Sequence, residues 1–128
     1  MIQPSIMLVD DDENILTLYR LALRRKPDWK LCSAADGEHA LQLVDECTPD
    51  FVVLDVMLPG IDGIEICRRL RLQASTAKVP VVMLSARDDA AVHRAARAAG
   101  ADDFWLKPIS PADFVNRIDR WLNGPPIA

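Results

Sequence analysis

Polar side chains that can do chemistry stand directly after short apolar runs at four places in this sequence. They are, in chain order, Asp10 and Asp11, Asp55, Ser85 and Lys107. Carboxylates brought together repel one another, because two unit charges about 4 Å apart interact by roughly 4 kcal/mol at an effective dielectric constant of about 20. Such a cluster favours a bound cation, and Mg²⁺ suits carboxylate oxygens and often shares its site with a phosphate. With a hydroxyl and an ammonium nearby, the set predicts an aspartate that accepts a phosphoryl group.

Taken singly, each residue also has an ordinary structural interpretation. Asp12 and Glu13 complete the acidic run at the end of the first apolar segment and suit the start of a helix, so we assign no chemistry to them. Asp55 fits a turn, Ser85 fits a capping motif and Lys107 fits a solvated strand end. Their joint occurrence after apolar runs is what favours a functional site.

The elements that must position these residues are apolar runs that alternate five times with amphipathic stretches. The predicted strands are residues 5–9, 29–34, 51–54, 79–84 and 104–106. Four predicted helices span residues 12–26, 36–47, 88–99 and 110–122, and a fifth, between the third and fourth strands, carries Ile64, Cys67 and Leu70. The first has an apolar stripe of Ile15, Leu18, Tyr19 and Ala22. Gly100 is the expected C-cap of helix 88–99. Apolar runs without strict alternation indicate strands covered on both faces. The pattern predicts an α/β fold, a three-layer sandwich with a parallel sheet and helices on both faces.

In such a sheet the functional crevice lies beyond the carboxyl ends of the strands. The first, third, fourth and fifth predicted strands end in the polar residues named above, so four separate loops deliver them to one edge of the sheet. The second strand ends in Ala34 and Ala35 and contributes none, which fits an edge position.

Composition narrows the class of protein. The 128 residues suit a single domain, and a net charge of −4 with a pI near 5.0 lacks the basic balance of a nucleic-acid-binding domain. The longest charge-free stretch is residues 1–9, too short to cross a membrane, and no basic start marks a signal peptide. We therefore expect a cytoplasmic protein without membrane contact.

The three cysteines and two histidines carry no recognisable metal or redox motif. Cys32, Cys47 and Cys67 are odd in number, form no CxxC pair and lie in apolar segments, so they are interpreted as small buried hydrophobic residues with free thiols. His39 and His93 are isolated and are interpreted as residues on helix surfaces.

Taken together, the segments resemble the receiver domains of response regulators in two-component signalling. The matching segments are 9–12, 53–63, 84–86 and 100–108, in family order, and the similarity extends from about residue 5 to 122. The resemblance implies a flavodoxin-like fold with strand order 2-1-3-4-5. It also implies that residues 1–124 form the receiver domain and that residues 125–128 are a tail or the start of a linker.

The resemblance also implies roles for individual residues at the phosphoryl site. Asp55 matches the phosphoryl acceptor. Asp10 and Asp11 match the acidic pair that holds Mg²⁺, with Mn²⁺ as an alternative ion, and Asp55 and the backbone carbonyl of Met57 match the remaining protein ligands. Lys107 matches the lysine that pairs with the acceptor and later with the phosphoryl group.

Further positions match the part of the family that changes on phosphorylation. Ser85 matches the switch hydroxyl, although threonine is commoner there, and Phe104 matches the switch aromatic, with a plain core aromatic as the alternative. The bond between Lys107 and Pro108 matches a cis peptide that aims the lysine into the site. Met57 and Arg87 occupy positions that tune dephosphorylation across the family.

The function implied is that of a signalling switch rather than an enzyme. A histidine kinase or phosphotransfer protein phosphorylates Asp55 in a Mg²⁺-dependent reaction, and the added charge alters partner binding. One alternative is a haloacid-dehalogenase-like phosphatase, which also uses an aspartate nucleophile, although this chain has no room for a cap domain. The other is a receiver-like interaction module that is never phosphorylated. Nucleotide binding is disfavoured, because neither GxxxxGK[ST] nor GxGxxG occurs.

Partner surfaces are less distinctive. Mixed charges surround the fourth helix, fifth strand and fifth helix, a face through which some receivers dimerise, and a solvated surface explains them equally well. Arg68, Arg69 and Arg71 are interpreted as a solvated helix face, too few for contact with DNA, and no direct nucleic-acid contact is expected.

Overall fold

Strands alternate with helices through residues 3–124, the part of the chain that the structure, a computed structural model, describes. The strands are β1 (Ser5–Val9), β2 (Lys30–Ala34), β3 (Phe51–Asp55), β4 (Val81–Ser85) and β5 (Asp103–Leu106). The helices are α1 (Glu13–Leu23), α2 (Gly37–Cys47), α3 (Gly63–Arg71), α4 (Ala90–Ala99) and α5 (Pro111–Asn123). The predicted α/β alternation is confirmed, with boundaries shifted by up to a few residues. The predicted tail, residues 125–128, lies outside the described residues.

The five strands form one parallel sheet in the order β2-β1-β3-β4-β5, as the resemblance implied. Every residue of β1, β3 and β4 is buried, which explains why these strands read as unbroken apolar runs. The edge strands β2 and β5 are more exposed. All five carboxyl ends point the same way, so the loops that follow them share one edge of the sheet.

A polar side chain caps the amino end of each helix in the described range. The capping residues are Asp12, Asp36, Asp62, Asp89 and Ser110, each of which accepts a hydrogen bond from a backbone amide of the first turn. The expected place of Asp12 at the start of α1 is therefore confirmed. At the other end of α4, Gly100 adopts a φ of 105°, the left-handed conformation expected of a glycine C-cap.

The core consists of two layers, one on each face of the sheet. Helices α2, α3 and α4 cover one face, and α1 and α5 cover the other. The stripe predicted for α1 is partly wrong, because Leu16 and Leu23 are buried and Leu18 is 43% exposed. This segment contains more apolar residues than one helix face can bury, so the pattern alone did not select the inward face.

The cysteines do not all behave as free buried thiols, and that prediction is wrong for two of them. Cys32 of β2 and Cys47 of α2 form a disulfide, while Cys67 of α3 is a buried free thiol. The connection between β2 and α2 brings two residues 15 positions apart to a Cα–Cα distance of 6.1 Å. Sequence spacing could not show this proximity, because it depends on how α2 packs back onto the edge strand.

Arg71 is also not the solvated residue that was predicted. Its guanidinium donates hydrogen bonds to the carbonyl oxygens of Gly100, Thr76 and Val79 and to Oδ2 of Asp102. It thereby ties the end of α3 to the start of β4 and to the turn between α4 and β5. Arg68 and Arg69 do lie on the exposed face, where both pair with Glu65.

Candidate functional site

The residues with predicted chemistry meet at the carboxyl edge of the sheet. Asp10 follows β1 and Asp55 ends β3, and these two strands are neighbours. Ser85 ends β4, where it pairs in register with Leu106 of β5, so Lys107 follows directly beside it. The backbone amide of Lys107 donates to the carbonyl oxygen of Ser85 at 2.7 Å, which fixes the lysine's position. The sheet order therefore places β1, β3, β4 and β5 side by side at this edge.

Three carboxylates form a cluster there. One oxygen from each of Asp10, Asp11 and Asp55 lies within 4.8 Å of the others. Asp10 and Asp55 are buried, while Asp11 is exposed, so the cluster opens to solvent on one side. A set of hard oxygen donors with an open side fits a divalent cation that keeps some of its waters, and Mg²⁺ is such an ion.

Lys107 is the cation that this cluster already contains. Its Nζ lies 2.9 Å from Oδ2 of Asp10 and 3.2 Å from Oδ2 of Asp55. The lysine side chain is 18% exposed, so it reaches the cluster from a largely buried position. The peptide bond between Lys107 and Pro108 is cis, as expected from the resemblance. One ammonium thus faces two buried carboxylates, which leaves the cluster short of positive charge.

Backbone amides hold both buried carboxylates in the same manner. Oδ1 of Asp10 accepts from the amide of Asp12 at 2.9 Å, and Oδ1 of Asp55 accepts from the amide of Met57 at 3.1 Å. In each case the donor is two residues further along the chain and the other oxygen faces Lys107. The carboxylates therefore have fixed orientations. These amide contacts were not predicted, although aspartate at the start of a turn commonly accepts from the amide two residues on.

The electrostatics of the cluster raise the pKa of Asp55 to about 6. Burial is the main cause and the negative charge of Asp10 is the second, while Lys107 opposes both. For Lys107, burial lowers the pKa, but the hydrogen bond to Asp10 and the field of Asp55 outweigh it, so its pKa is raised. Lys107 is therefore charged at neutral pH.

Ser85 is buried beside the cluster and engaged with its own loop. Its Oγ accepts a hydrogen bond from the backbone amide of Arg87 at 3.0 Å. The side chain of Arg87 extends outward and pairs with Asp89, the capping residue of α4. Met57, on the neighbouring loop, is 60% exposed. Both positions that the resemblance linked to dephosphorylation therefore have side chains open to solvent.

Phe104 lies on β5 and packs against α4. Its ring stacks on the imidazole of His93, with ring centroids 3.8 Å apart and an angle of 25° between the planes. The two rings also line a small cavity of about 150 Å³ between α4 and β5. His93 is on the helix surface, as predicted, but its contact with Phe104 was missed, because no sequence pattern links a helix residue to a neighbouring strand at this distance.

Glycine is required where α3 begins, directly behind the backbone of Asp55. The amide of Gly63 donates to the carbonyl oxygen of Val56, and a β-carbon at position 63 would overlap the backbone carbonyl of Asp55. Gly60, by contrast, has open space around it and a φ of 73°. The sequence indicated only a loop here, and the close approach of Gly63 to Asp55 was not predicted.

The sequence profile of the response regulator receiver domain matches residues 6–119 of this chain. The match covers both core layers and every residue of the carboxylate cluster. It agrees with the fold and with the four segments on which the resemblance was based.

Individual proteins show the same similarity. The transcriptional regulatory protein AfsQ1 of Streptomyces coelicolor is 44% identical over 83% of this chain and 45% of its own length. The alkaline phosphatase synthesis transcriptional regulatory protein PhoP of Bacillus subtilis is 41% identical over 97% of this chain and 50% of its own length. The chain thus spans about half the length of these two regulators. The structure of chemotaxis protein CheY4 of Vibrio cholerae superimposes with a TM-score of 0.86, covering 92% of this chain and 98% of that one at 24% identity, which shows a shared fold.

Proposed function

The chain belongs to the response regulator receiver domain family of two-component signalling, and on that premise we propose that Asp55 is its phosphoryl acceptor. The observation that carries this proposal is the bridge that Lys107 makes between Asp10 and Asp55 inside a cluster of three carboxylates. Asp55 is the last residue of the central strand β3, and its carboxylate lies 3.2 Å from the Lys107 ammonium in the same cluster as the exposed Asp11. We assign residues 1–124 to the receiver domain.

Asp10, Asp11, Asp55 and the backbone carbonyl of Met57 are the proposed ligands of Mg²⁺, with Mn²⁺ as an alternative. The donor chemistry supports this, because the cluster holds three carboxylates against one ammonium. When bound, the ion supplies positive charge that offsets repulsion between the carboxylates and the incoming phosphoryl oxygens.

Asp55 acts as the nucleophile in the proposed transfer. One of its carboxylate oxygens forms a bond to the phosphorus of a phosphohistidine while the bond from phosphorus to the imidazole nitrogen breaks, and that nitrogen keeps the electron pair. The reaction requires the charged carboxylate. A pKa of about 6 leaves most Asp55 side chains deprotonated at neutral pH, and the fixed orientation given by the Met57 amide presents the carboxylate to the open side.

Lys107 and Ser85 respond to the product. The phosphorylated side chain carries more negative charge than the carboxylate did, and the Lys107 ammonium is already within hydrogen-bonding distance of Asp55. Ser85 exchanges its bond from the Arg87 amide for a contact with a phosphoryl oxygen. Phe104 then moves into the space that Ser85 leaves and gives up its stack on His93, which changes the surface formed by α4, β5 and α5.

The proposed partners follow from this reaction. A histidine kinase or a phosphotransfer protein supplies the phosphoryl group, and the α4–β5–α5 surface is the proposed face for a second copy of the chain. Direct contact with nucleic acid is not assigned to residues 1–124, although AfsQ1 and PhoP are named as transcriptional regulators. The domain acts as a switch and not as an enzyme that turns over free substrates.

We place this domain in the cytoplasm, where such kinases present their phosphohistidines. Within residues 3–124, none of the helices is both long and apolar enough to cross a membrane. Residues 125–128 are proposed as a tail or the start of a linker.

The test is phosphorylation of the purified chain by a small phosphodonor such as acetyl phosphate in the presence of Mg²⁺. Intact mass spectrometry should show the gain of one phosphoryl group in the wild type and none in Asp55→Asn. Asp45→Asn, which removes an exposed carboxylate from α2, is the matched control and should react like the wild type. The proposal is wrong when the wild type gains no mass or when Asp55→Asn reacts normally.

A further inference from the structure

A cysteine pair at the edge of the sheet is not used by the proposed phosphoryl transfer. Cys32 lies in the middle of β2, an edge strand that pairs with β1 alone among the strands of residues 3–124. Cys47 is the last residue of α2, and the two Cα atoms are 6.1 Å apart, within the range that a disulfide spans. Cys47 is buried, whereas Cys32 is only half-buried. One sulfur of the pair therefore lies near the solvent side of the sheet edge.

The surroundings of the pair suit the thiols as well as the disulfide. Cys47 belongs to the apolar cluster beneath α2 and α3, and Cys32 packs against that cluster. Free cysteine behaves as a small apolar residue, so reduction of the disulfide leaves no charged or strongly polar group in the core. Breaking the disulfide removes a covalent tie without requiring the layer to repack.

We propose that Cys32 and Cys47 form a reversible thiol–disulfide site whose oxidant is a low-molecular-weight disulfide. The third cysteine is excluded from this exchange. Cys67 is buried on α3, its Sγ faces the carbonyl oxygen of Ala99, and burial raises the pKa of its thiol. Cys67 is fully buried, so a small disulfide does not reach it and it stays reduced. Cys47 is buried as well, but it lies beside Cys32 and attacks that residue, not the small molecule.

The exchange balances as two successive displacements. The thiol of Cys32 loses its proton to water, and the resulting thiolate attacks one sulfur of the small disulfide, forms a mixed disulfide and releases one small thiolate. The thiolate of Cys47 then attacks Sγ of Cys32 and releases the second. The two protein thiols lose two electrons and two protons in total, and the small disulfide becomes two thiols. An excess of a small dithiol reverses both steps. In a reducing compartment the resting form is the dithiol, and oxidation produces the disulfide.

The structure also indicates what the disulfide controls. It ties the carboxyl end of α2 to β2, one of the two edge strands of the sheet. The residues of the phosphoryl site lie on or after β1, β3, β4 and β5, and none lies on β2 or α2. The redox state therefore sets the stability of the β2–α2 unit and leaves phosphorylation unchanged. Formation of the disulfide is independent of the proposed function, and only the statement about phosphorylation rests on it.

The test uses the whole chain after equilibration with glutathione disulfide or with excess dithiothreitol. Each sample is quenched in acid, denatured, alkylated and mapped by mass spectrometry. The oxidised chain should be lighter by two hydrogen atoms and should be alkylated at Cys67 alone, whereas the reduced chain should be alkylated at all three cysteines. The thermal unfolding midpoint should be higher for the oxidised form, and amide exchange in β2 and α2 should be slower.

Variants give the controls. Cys67→Ser should keep the redox change, and Cys32→Ser should lose it while retaining phosphorylation by acetyl phosphate. If either variant fails to fold, the alkylation pattern of the wild type still tests the proposal. The proposal is overturned by three alkylated cysteines after oxidation, by a disulfide that includes Cys67, by accumulation of a mixed disulfide with glutathione, or by a disulfide that native protein keeps in excess dithiothreitol. Equal unfolding midpoints for the two forms also overturn it.

Discussion

The ammonium of Lys107 lies 3.2 Å from Oδ2 of Asp55, although the two residues are 52 positions apart. The same ammonium reaches Asp10 at 2.9 Å, across 97 positions. A single cation therefore stabilises two buried carboxylates supplied by different strands. Both the stability of the domain without metal and its affinity for metal depend on this arrangement, which gives the first predictions.

Replacing Lys107 by alanine should destabilise the metal-free protein by about 2–4 kcal/mol, because it leaves two buried carboxylates without their cation. Urea unfolding monitored by tryptophan fluorescence gives the free energy of unfolding. Addition of Mg²⁺ should recover part of the loss, since the ion replaces the missing charge. Lys78→Ala, at an exposed position, should change stability by less than about 0.5 kcal/mol. Equal effects of the two substitutions would show that the Lys107 bridge contributes nothing.

The raised pKa of Asp55 predicts that the metal-free protein loses stability as the pH rises from about 4 to 7. The folded protein holds this proton up to about pH 6, and the unfolded chain releases it near the ordinary value of 3.8, so folding binds a proton in between. The stability gained from this bound proton is fully present below pH 3.8, the pKa of Asp55 in the unfolded chain. It is lost as the pH rises through about 6, the pKa of Asp55 in the folded protein. Asp55→Asn should therefore stabilise the metal-free protein at pH 7 by about 2–3 kcal/mol and flatten the profile.

The measurement for Asp55 is urea unfolding between pH 4 and pH 8 with a chelator present. Asp45→Asn provides the comparison, because its carboxylate is exposed. A wild-type profile that coincides with that of Asp55→Asn across this range would contradict the prediction.

Adjacent aspartates should differ in their effect on metal binding. Asp11→Asn removes a carboxylate from the cluster and should weaken Mg²⁺ binding by at least tenfold, on the order of 1.4 kcal/mol. Asp12→Asn removes the same charge one residue later but keeps the cap of α1, because asparagine caps helices about as well as aspartate. Its affinity for Mg²⁺ should change by less than about threefold, a general charge effect. Isothermal titration calorimetry would measure both, and similar losses would remove Asp11 from the ligand set.

Gly63 and Gly60 test the packing of the loop that follows Asp55. Gly63→Ala places a methyl group against the carbonyl of Asp55 and should destabilise the protein by about 3 kcal/mol or more. Gly60→Ala meets no neighbouring atom and costs only the strain of a positive φ, about 1 kcal/mol. Thermal unfolding should rank the variants in that order. A Gly63→Ala protein as stable as Gly60→Ala would mean that the loop accommodates the methyl group.

The stack between His93 and Phe104 should influence the rate of phosphorylation. His93→Ala removes a ring contact worth about 0.5–1.5 kcal/mol and frees Phe104 to leave its place beside α4. Phosphorylation by acetyl phosphate should then be about 2- to 10-fold faster, the fold-change that this energy allows. His93→Phe keeps the stacked ring and should restore the wild-type rate. An unchanged rate in His93→Ala, with wild-type stability, would show that the stack does not restrain Phe104.

The sequence predicted the α/β architecture well because buried parallel strands are nearly all apolar and end abruptly in polar residues. The run from Phe51 to Asp55 is typical, since the change from leucine to aspartate marks both the strand end and a candidate site residue. The proximity of Asp10, Asp55 and Lys107 follows from the same rule, because parallel strands deliver their carboxyl ends to one edge.

Contacts that depend on side-chain reach were not predictable in this way. Three contacts leave no periodic signal: the stack of His93 on Phe104, the bond between Cys32 and Cys47, and the hydrogen bonds of Arg71 to backbone carbonyls. Each joins two elements whose relative rotation is decided by packing. The inward face of α1 was misassigned for the same reason, since several apolar registers compete along that helix.

The long spacing between Asp10 and Lys107 has a consequence for how the chain acquires its site during synthesis. The ribosome releases both buried aspartates well before residue 107 emerges, and β4 and β5 reach the sheet last. Until then the two carboxylates have no ammonium to pair with. No amino-terminal fragment that stops short of β5 can therefore reproduce the charge balance of the finished domain, and assembly of the site coincides with completion of the fold.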